Sequence, residues 1–500
     1  MVNYGVSRAC ETCKQRRKKG IYSTFNRMNY TNESCNRCVK ASRVCLGYKD
    51  DSNLLFRHWD GAKNTDSSTP ALAEPSRATP QNQRALDSFF DDYCVESIDR
   101  SISRGFLDGL QSLINNAGQS SDIAQAARIV ALAGIGNRTN RPDIVHQTKL
   151  IYGDLLRSFQ TTLLDAVSSN TTESLMTAVL LGLYEIITST EGNPDQHVAH
   201  VRGVSAILCS ENSPFDLLAG TDLFQLGNPL LLKAPLEQPH TPGVLCAPTL
   251  NGSIQSLDAI LIRFNPVFHR ANALLPDKST ALDDIQNLKQ NAIVLDQEFS
   301  SWSAGQTAEW QPRSIGTIRG DQTRSWQSAN FWPGNIDTYF DLYVAAVWNT
   351  YRKTHLMILD IIVRCLKRLE GNEIRTREQE EVQRLAEGIA ASVPYHLTED
   401  LQGYIQGIQA GSDTMIPGKP VGGLLLLHPL YVVARSSVVS PQLQAYMSEC
   451  LEWIGKNMGI GQATLLSNAS ILNLSAAFLP FQYIAEGHVL IWAGMLIQPF

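Results

Sequence analysis

The feature that most constrains this 500-residue chain is a cluster of thiols near its amino terminus. Five of the ten cysteines fall between positions 10 and 45, and four of them form the pairs Cys10/Cys13 and Cys35/Cys38. A Cys-x2-Cys pair brings two sulfurs to one zinc ion, which takes about four thiolate ligands in a tetrahedron. The spacing therefore favours a zinc site over ordinary thiols. The first residues, MVNYGVSRAC, have no apolar signal-peptide core, which disfavours a disulfide framework.

The charge of the chain is unevenly distributed. The densest positive run, KQRRKK, lies between the two cysteine pairs. Residues 1–49 hold eleven basic and two acidic residues, a balance of +9, whereas the remainder carries a balance of −15. A basic amino-terminal segment followed by an acidic remainder predicts a nucleic-acid contact confined to the amino terminus. The same run would also serve as a nuclear-import signal.

This stretch resembles the DNA-binding domain of fungal Zn2Cys6 binuclear-cluster transcription factors, whose pattern is C-x2-C-x6-C, a loop, and C-x2-C-x6-C. Five of the six ligand positions are matched, by Cys10, Cys13, Cys35, Cys38 and Cys45. Gly20 stands at the third position, and residues 21–34 contain no Cys or His. The sequence therefore departs from the family at one metal ligand.

The resemblance implies that zinc is the cofactor and that Cys10 and Cys35 bridge two ions. Cys38 and Cys45 would complete one zinc, while Cys13 and the two bridges would give the other only three thiolates. Metal binding supplies most of the folding free energy of such a small domain, on the order of 10 kcal/mol per structural zinc. The sequence thus predicts either an impaired domain or a gene-model error in which residues 20–34 are a translated intron.

The resemblance also implies how DNA is read. The residues from Lys14 to Lys19 would form a helix in the major groove, with Arg16 and Arg17 approaching the bases of CGG-type triplets. An arginine fork bonds guanine O6 and N7 together, which gives about 1–3 kcal/mol of discrimination. Phosphates would be contacted by Lys18, Lys19, Arg37 and Lys40.

Composition divides the chain into three parts. We expect a zinc-cluster domain over 1–49, a flexible linker over 50–86 and a large helical domain over 87–500. The stretch from Gly61 to Gln83 has three prolines and few large apolar residues, so it cannot bury enough surface to offset the entropy of ordering. No sustained heptad pattern follows the cysteines, which leaves a homodimer possible but unspecified.

The body is predicted to be all-α, because strand alternation with hairpin turns is not convincing in any segment. Asn170 and Glu173 resemble a capping signature before the apolar run SLMTAVLLGLYEII. Helices are predicted over Ile123–Leu132, 142–167, 174–187, Asp337–Glu370, Thr376–Val393 and Pro441–Met458.

Two of these segments show an apolar face at helical spacing. The face of the segment that begins at Pro142 comprises Ile144, Leu150, Leu155, Leu156, Phe159 and Leu163. The stripe of Asp337–Glu370 comprises Tyr343, Val347, Tyr351, Thr354, Ile358, Ile361, Cys365 and Leu369, with Gly371 as the predicted stop.

The body also resembles the regulatory region that follows the zinc cluster in many fungal factors. The similar segments are 136–160, 170–185, 197–208, 341–359 and 428–437. They look like the packing signatures of a helical domain, so they imply fold more than chemistry.

Other candidate sites are weaker. Asp91 and Asp92 resemble the magnesium motif of the all-α terpene cyclases, but Asp283-Asp284 lacks the Ser and Glu that the second motif needs, so an acidic helix start is favoured. His197 and His200 share a helix face without a third ligand, which favours packing or a hydrogen bond over a metal site. The Gly-Ile-Gly triplets at 134–136 and 459–461 lack the context of a phosphate loop. The remaining single cysteines are expected to be reduced and mostly buried.

The sequence as a whole predicts a nuclear, sequence-specific transcription factor and not an enzyme. It would bind double-stranded DNA and co-regulators, with no membrane contact, and control one biosynthetic or catabolic gene cluster. The helical body would respond to a partner or a small effector. The alternative is a helical interaction protein whose DNA binding is impaired by Gly20; a terpene-cyclase-like enzyme is a remote third.

Overall fold

Helices account for nearly all of the secondary structure in the described part of the chain. The computed structural model describes residues 80–165, 167–192, 195–208, 256–319, 332–371, 376–412, 415–468 and 490–495. All of these residues belong to one unit, Arg77–Phe500. The helices are α1 Pro80–Tyr93, α2 Leu110–Ala117, α3 Asp122–Arg138, α4 Pro142–Leu164, α5 Thr172–Thr188, α6 His197–Leu208, α7 Leu257–Leu274, α8 Leu282–Ala304, α9 Leu342–Glu370, α10 Thr376–Leu397, α11 Leu401–Gln409, α12 Pro420–Arg435, α13 Pro441–Met458 and α14 Gly461–Ser467.

The helices pack as two connected groups. In the first, α3 packs against α1, α4 and α5, and α5 packs against α6. In the second, α9 packs against α8, α10 and α12, and α12 also packs against α13. Contacts between α13 and α3 join the groups, so one apolar core runs through both.

Helix α9 is the centre of the second group. Its amino end is capped by Asp341, whose carboxylate accepts a hydrogen bond from the Val344 amide at 2.9 Å. The predicted stripe is buried from Tyr343 to Cys365, and Leu369 is partly buried. The helix stops before Gly371, which has φ of 88°, as the sequence predicted.

The start of α9 was predicted too early, at Asp337. Residues 337–341 are not helical, because Asp337 belongs to β2 and Asp341 is the cap. The all-α prediction likewise missed an antiparallel hairpin of β1 Arg313–Ile318 and β2 Gly334–Thr338. Its strands are mostly exposed, and each has one buried side chain, Ile318 in β1 and Ile336 in β2. The strands therefore show little alternation of apolar and polar residues.

Two further details differ from expectation. The cap of α5 is Thr171, which accepts from the Ser174 amide at 3.1 Å, and not Asn170. On α4, Leu155 and Phe159 are buried, but Leu150 is 62% exposed and Leu163 is exposed, because the packed face is narrower than the spacing suggested.

Helix α1 begins within the range predicted as linker, and Leu86 is already fully buried. Helix α10 extends past Val393 through Pro394 to Leu397. Helix α13 has the predicted bounds. None of the helices that the structure describes combines the length and the apolar content that a membrane span needs.

Candidate effector-binding site

The predicted zinc and DNA contacts all lie before residue 80, outside the described residues. They are the thiols Cys10, Cys13, Cys35, Cys38 and Cys45 and the basic residues Lys14, Arg16, Arg17, Lys18, Lys19, Arg37 and Lys40. Their roles stay predictions. The helical body holds a separate candidate site, which the sequence did not single out.

A cavity of about 670 Å³ lies where the end of α8, the hairpin, α9 and α10 meet. We call it the Arg352 cavity. The residues of its lining that matter below are Trp332, Asp337, Trp348, Tyr351, Arg352, Arg384, Glu387 and Gly388.

Helix α9 supplies one wall of the cavity. Trp348, Tyr351 and Arg352 are three and four residues apart, so they lie on one face of the helix. The Trp348 indole N–H donates to the Trp310 carbonyl at 2.6 Å, which fixes the ring. Trp348 and Tyr351 meet edge to face, with ring centroids 5.5 Å apart. The wall is therefore aromatic and held in place from behind.

Arg352 brings a cation into this wall, with only 7% of its side chain exposed. Its Nη1 donates to the Tyr339 hydroxyl at 2.7 Å and to Asn349 Oδ1 at 3.0 Å. The guanidinium also lies 5.7 Å and 5.6 Å from the ring centroids of Tyr339 and Trp348. The buried guanidinium is thus stabilised mainly by neutral oxygens and by the faces of aromatic rings.

The only carboxylate paired with Arg352 among the described residues is distant. Asp337 Oδ2 lies 3.8 Å from Nη2, which is longer than a hydrogen bond. Burial raises the pKa of the Asp337 carboxyl, and the charge of Arg352 offsets that only in part. The positive charge of Arg352 is consequently not closely paired with a negative charge.

The second arginine of the cavity is differently placed. Arg384 has a side chain 62% exposed and donates to both carboxylate oxygens of Glu381. This hydrogen bonding raises the pKa of Arg384 and lowers the pKa of Glu381. Arg384 is therefore closely paired with a carboxylate, whereas the ion pair of Arg352 with Asp337 is long, at 3.8 Å.

A buried polar chain fixes the position of Arg352 from behind. The Asn349 amide donates to Ser392 Oγ at 2.8 Å and lies 3.3 Å from His396 Nε2. Burial lowers the pKa of His396 to about 3, so the ring is neutral near pH 7 and can accept at Nε2. The Asn349 side chain is thereby oriented with its oxygen toward Arg352.

Gly388 of α10 provides the room for the guanidinium. A Cβ at this position would lie 2.8 Å from Arg352 Nε and 3.3 Å from its Cζ. Real Cβ atoms avoid such distances, so any larger residue here would displace the buried side chain.

The two Gly-Ile-Gly triplets meet each other in a packing junction. Gly459, with φ of 73°, approaches so closely that a Cβ would lie 2.6 Å from the Gly134 carbonyl oxygen. The Asn137 amide bridges this junction, donating at 2.9 Å to the carbonyls of both Ile187 and Gly459. A cavity of about 770 Å³ opens beside it, but the cations of its lining, Arg141 and Lys149, are both exposed, and Arg141 is paired with Asp143. The triplets thus serve helix packing.

The aspartate pair at 91–92 is engaged by two separate cations. Asp91 pairs with Lys419 at 3.0 Å and Asp92 with Arg138 at 2.7 Å. The pair lies at the carboxyl end of α1, which corrects the expectation of a helix start. Asp283 and Asp284 lie in the first turn of α8, where Asp284 pairs with Arg270 at 3.3 Å.

The histidine pair on α6 is part of the packing, as the sequence predicted. His200 Nε2 lies 2.7 Å from the Tyr152 hydroxyl, and His197 is fully buried. Burial, with a smaller contribution from His197, lowers the pKa of His200 to about 4.

Within the described ranges, no group of three or more His, Cys, Asp or Glu side chains is arranged to hold a metal. Of the later cysteines, Cys365 and Cys450 are buried, Cys94 is half-buried, and Cys209 and Cys246 lie outside the described residues.

Sequence reasoning missed the Arg352 cavity, although one signal was present. Arg352 and Lys353 interrupt the apolar centre of α9, and both prove to be buried. Lys353 Nζ contacts His428 Nδ1 on α12 and lies 5.6 Å from the Trp492 ring centroid. Two adjacent cations inside an apolar helix therefore mark buried polar structure.

Comparison with known proteins gives a match over most of the chain. The chain is similar to "Transcription factor dbaG" of Emericella nidulans, with 37% identity over 415 residues. The match covers 83% of this chain and 96% of that protein. No protein-family model matches the chain. No solved structure matches it either.

Proposed function

The chain belongs to the family of fungal transcription factors that includes dbaG, and we propose that it is a zinc-dependent, DNA-binding regulator of one gene cluster. The observation that carries the proposal is the 37% identity over nearly the whole length of a named transcription factor. The basic, cysteine-rich amino terminus supplies the DNA contact, and the nucleus is where the protein acts.

Zinc fits the donor chemistry of the amino terminus. Five thiols in two Cys-x2-Cys pairs and one further position are soft ligands suited to zinc. Gly20 leaves one ion a ligand short, so the site holding Cys38 and Cys45 is the stronger of the two. The five thiols would hold zinc, and a fold held by that metal would orient the segment from Lys14 to Lys19 as DNA binding requires.

The division of labour in DNA binding follows from residue chemistry. Arg16 and Arg17 read guanine edges of a CGG-type element through bidentate hydrogen bonds. Lys18 and Lys19 neutralise phosphates, which makes binding salt-dependent without adding sequence choice. The acidic body does not take part in DNA contact and is available for regulation.

The helical body regulates this activity by binding a small effector. The Arg352 cavity supports this role, since its volume lies in the range of small-molecule sites, about 300–1,000 Å³. It also combines aromatic walls with one imperfectly paired buried cation.

A second candidate function rests on Gly20. If the missing ligand prevents the zinc domain from folding, the chain acts as a helical interaction protein that modulates related regulators. The two functions differ in whether this chain occupies promoters.

The test is a genome-wide footprint of the tagged full chain in its host, combined with transcript profiling after deletion. We expect occupancy at CGG-type elements of one gene cluster and altered expression of that cluster. Cys38→Ser should abolish occupancy, while the matched control Cys94→Ser, outside the zinc pattern, should retain it. Absence of promoter occupancy by the intact chain would overturn the proposal in favour of the interaction protein.

A further inference from the structure

We propose that the Arg352 cavity binds a small planar aromatic carboxylate, with its anionic group on Arg352 and its ring against the indole of Trp332. The inference rests on the proposed function, because it names the class of effector that the helical body senses. Its support comes from the charge, the walls and the size of the cavity.

The buried guanidinium calls for an anion. A charge removed from water is stable only when it is paired and hydrogen-bonded. Arg352 Nη1 is satisfied by Tyr339 and Asn349, but the nearest carboxylate to Nη2, that of Asp337, is 3.8 Å away. A carboxylate is the planar, two-oxygen group that a guanidinium fork matches best.

The carboxylates of the lining do not already fill that role. Glu387 is exposed and accepts a hydrogen bond from the Gln383 amide at 2.7 Å. Asp337 is the lining carboxylate paired with Arg352, but its Oδ2 lies 3.8 Å from Nη2 and makes no hydrogen bond to it. Burial raises the pKa of the Asp337 carboxyl, so the charged form that would repel an entering anion is disfavoured relative to an exposed aspartate.

The walls favour an aromatic body for the ligand. Trp332 is the half-buried aromatic side chain of the lining, whereas Trp348 and Tyr351 behind it are 5% and 1% exposed. Trp332 is held by Tyr446, with ring centroids 5.2 Å apart. An accessible indole beside the buried cation Arg352 favours a planar ring that carries one acid group, because both parts of such a ligand find a complementary surface.

The size of the cavity separates this ligand from larger partners. A volume of about 670 Å³ holds a molecule of one to three fused rings and excludes a folded peptide or a nucleic-acid strand. Inorganic phosphate would satisfy the cation but would leave the aromatic walls without contacts.

The experiment is calorimetry of the full-length chain with 1-naphthoate, its neutral isostere 1-naphthamide, and inorganic phosphate. We expect naphthoate to bind about ten- to a hundredfold more tightly than naphthamide, since only the acid forms a charge-assisted pair with Arg352. Phosphate should bind far more weakly than naphthoate. Equal affinity for acid and amide, equal affinity for phosphate, or no naphthoate binding at millimolar concentration would each overturn the inference.

Two variants locate the binding. Arg352→Gln should weaken naphthoate binding at least about tenfold and leave naphthamide binding unchanged. The control is Arg364→Gln on the same helix, which removes a cation that pairs with Asp360 at 3.4 Å and does not line the cavity. An equal loss in both variants would contradict the assignment. If Arg352→Gln does not fold, the acid–amide comparison in the unmodified chain still decides.

Binding of a CGG duplex by the same sample, measured without naphthoate, separates this inference from the proposed function. Naphthoate binding by a chain that does not bind DNA would support the site and overturn the proposed function. DNA binding without naphthoate binding would support the proposed function and overturn the assignment of the ligand site.

Discussion

Replacing Gly388 with alanine tests how tightly α10 holds the guanidinium of Arg352. In an open helical position this change stabilises a protein by about 1 kcal/mol, because alanine loses less backbone entropy than glycine. At Gly388 the new Cβ would lie 2.8 Å from Arg352 Nε, so the side chain has to move. Because that side chain is buried, it cannot move without disturbing its hydrogen bonds to Tyr339 and Asn349.

The expected magnitude follows from these opposing effects. Losing one hydrogen bond from a charged donor costs about 1.5–3 kcal/mol, which exceeds the helix-propensity gain. We therefore expect Gly388→Ala to lower the free energy of unfolding by about 0.5–2 kcal/mol. The matched control is Gly153→Ala in α4, where a Cβ meets nothing within 4 Å and a gain of about 1 kcal/mol is expected.

Urea unfolding of the full chain, followed by far-UV circular dichroism, measures both changes. A double-mutant cycle assigns the cause: in an Arg352→Ala background, Gly388→Ala should no longer destabilise. Stabilisation by Gly388→Ala equal to that of Gly153→Ala would refute the reasoning, and so would an unchanged cost in the Arg352→Ala background.

Two further predictions concern pH and backbone conformation. Burial holds the pKa of His396 at about 3 against an ordinary 6.5, so the unfolded chain binds this proton first and stability falls as pH drops from 6.5 toward 3, by up to a few kcal/mol. In urea titrations across that range, His396→Gln should reduce this pH dependence without abolishing it, because the buried His200 also has a lowered pKa. A pH dependence unchanged by His396→Gln would contradict the reasoning. Gly459→Ala should lose more stability than Gly118→Ala: both glycines have positive φ, worth about 1–2 kcal/mol of strain, but only at Gly459 does the Cβ meet backbone. Equal melting midpoints for the two glycine variants would contradict this.

The helical body was largely predictable because its signals are local. The stripe of α9, the stop at Gly371 and both ends of α13 follow from apolar spacing and terminal residues. The hairpin was not predictable in the same way, since Gly316 and exposed polar residues leave β1 without alternation. The start of α9 was misplaced because its cap residue, Asp341, lies close behind a strand that the sequence did not reveal.

The Arg352 cavity depends on contacts between segments far apart in sequence. Asp337, Arg352 and Gly388 come from a strand and two helices, and each is unremarkable within its own segment. Only the position of Arg352 inside an apolar helix hinted at a buried cation. The predicted face of α4 was wrong in part for a related reason: which of its apolar residues are covered depends on neighbours such as α3, and Leu150 stays 62% exposed.

We propose above all that thiolates near the amino terminus hold zinc and thereby orient Arg16 and Arg17 toward bases. It is tested most directly by counting zinc per chain and measuring the affinity for a CGG duplex on the same purified full-length sample. We predict bound zinc, sequence-specific binding, and loss of that binding when a chelator removes the metal. A metal-free protein that still recognises the duplex would contradict the account.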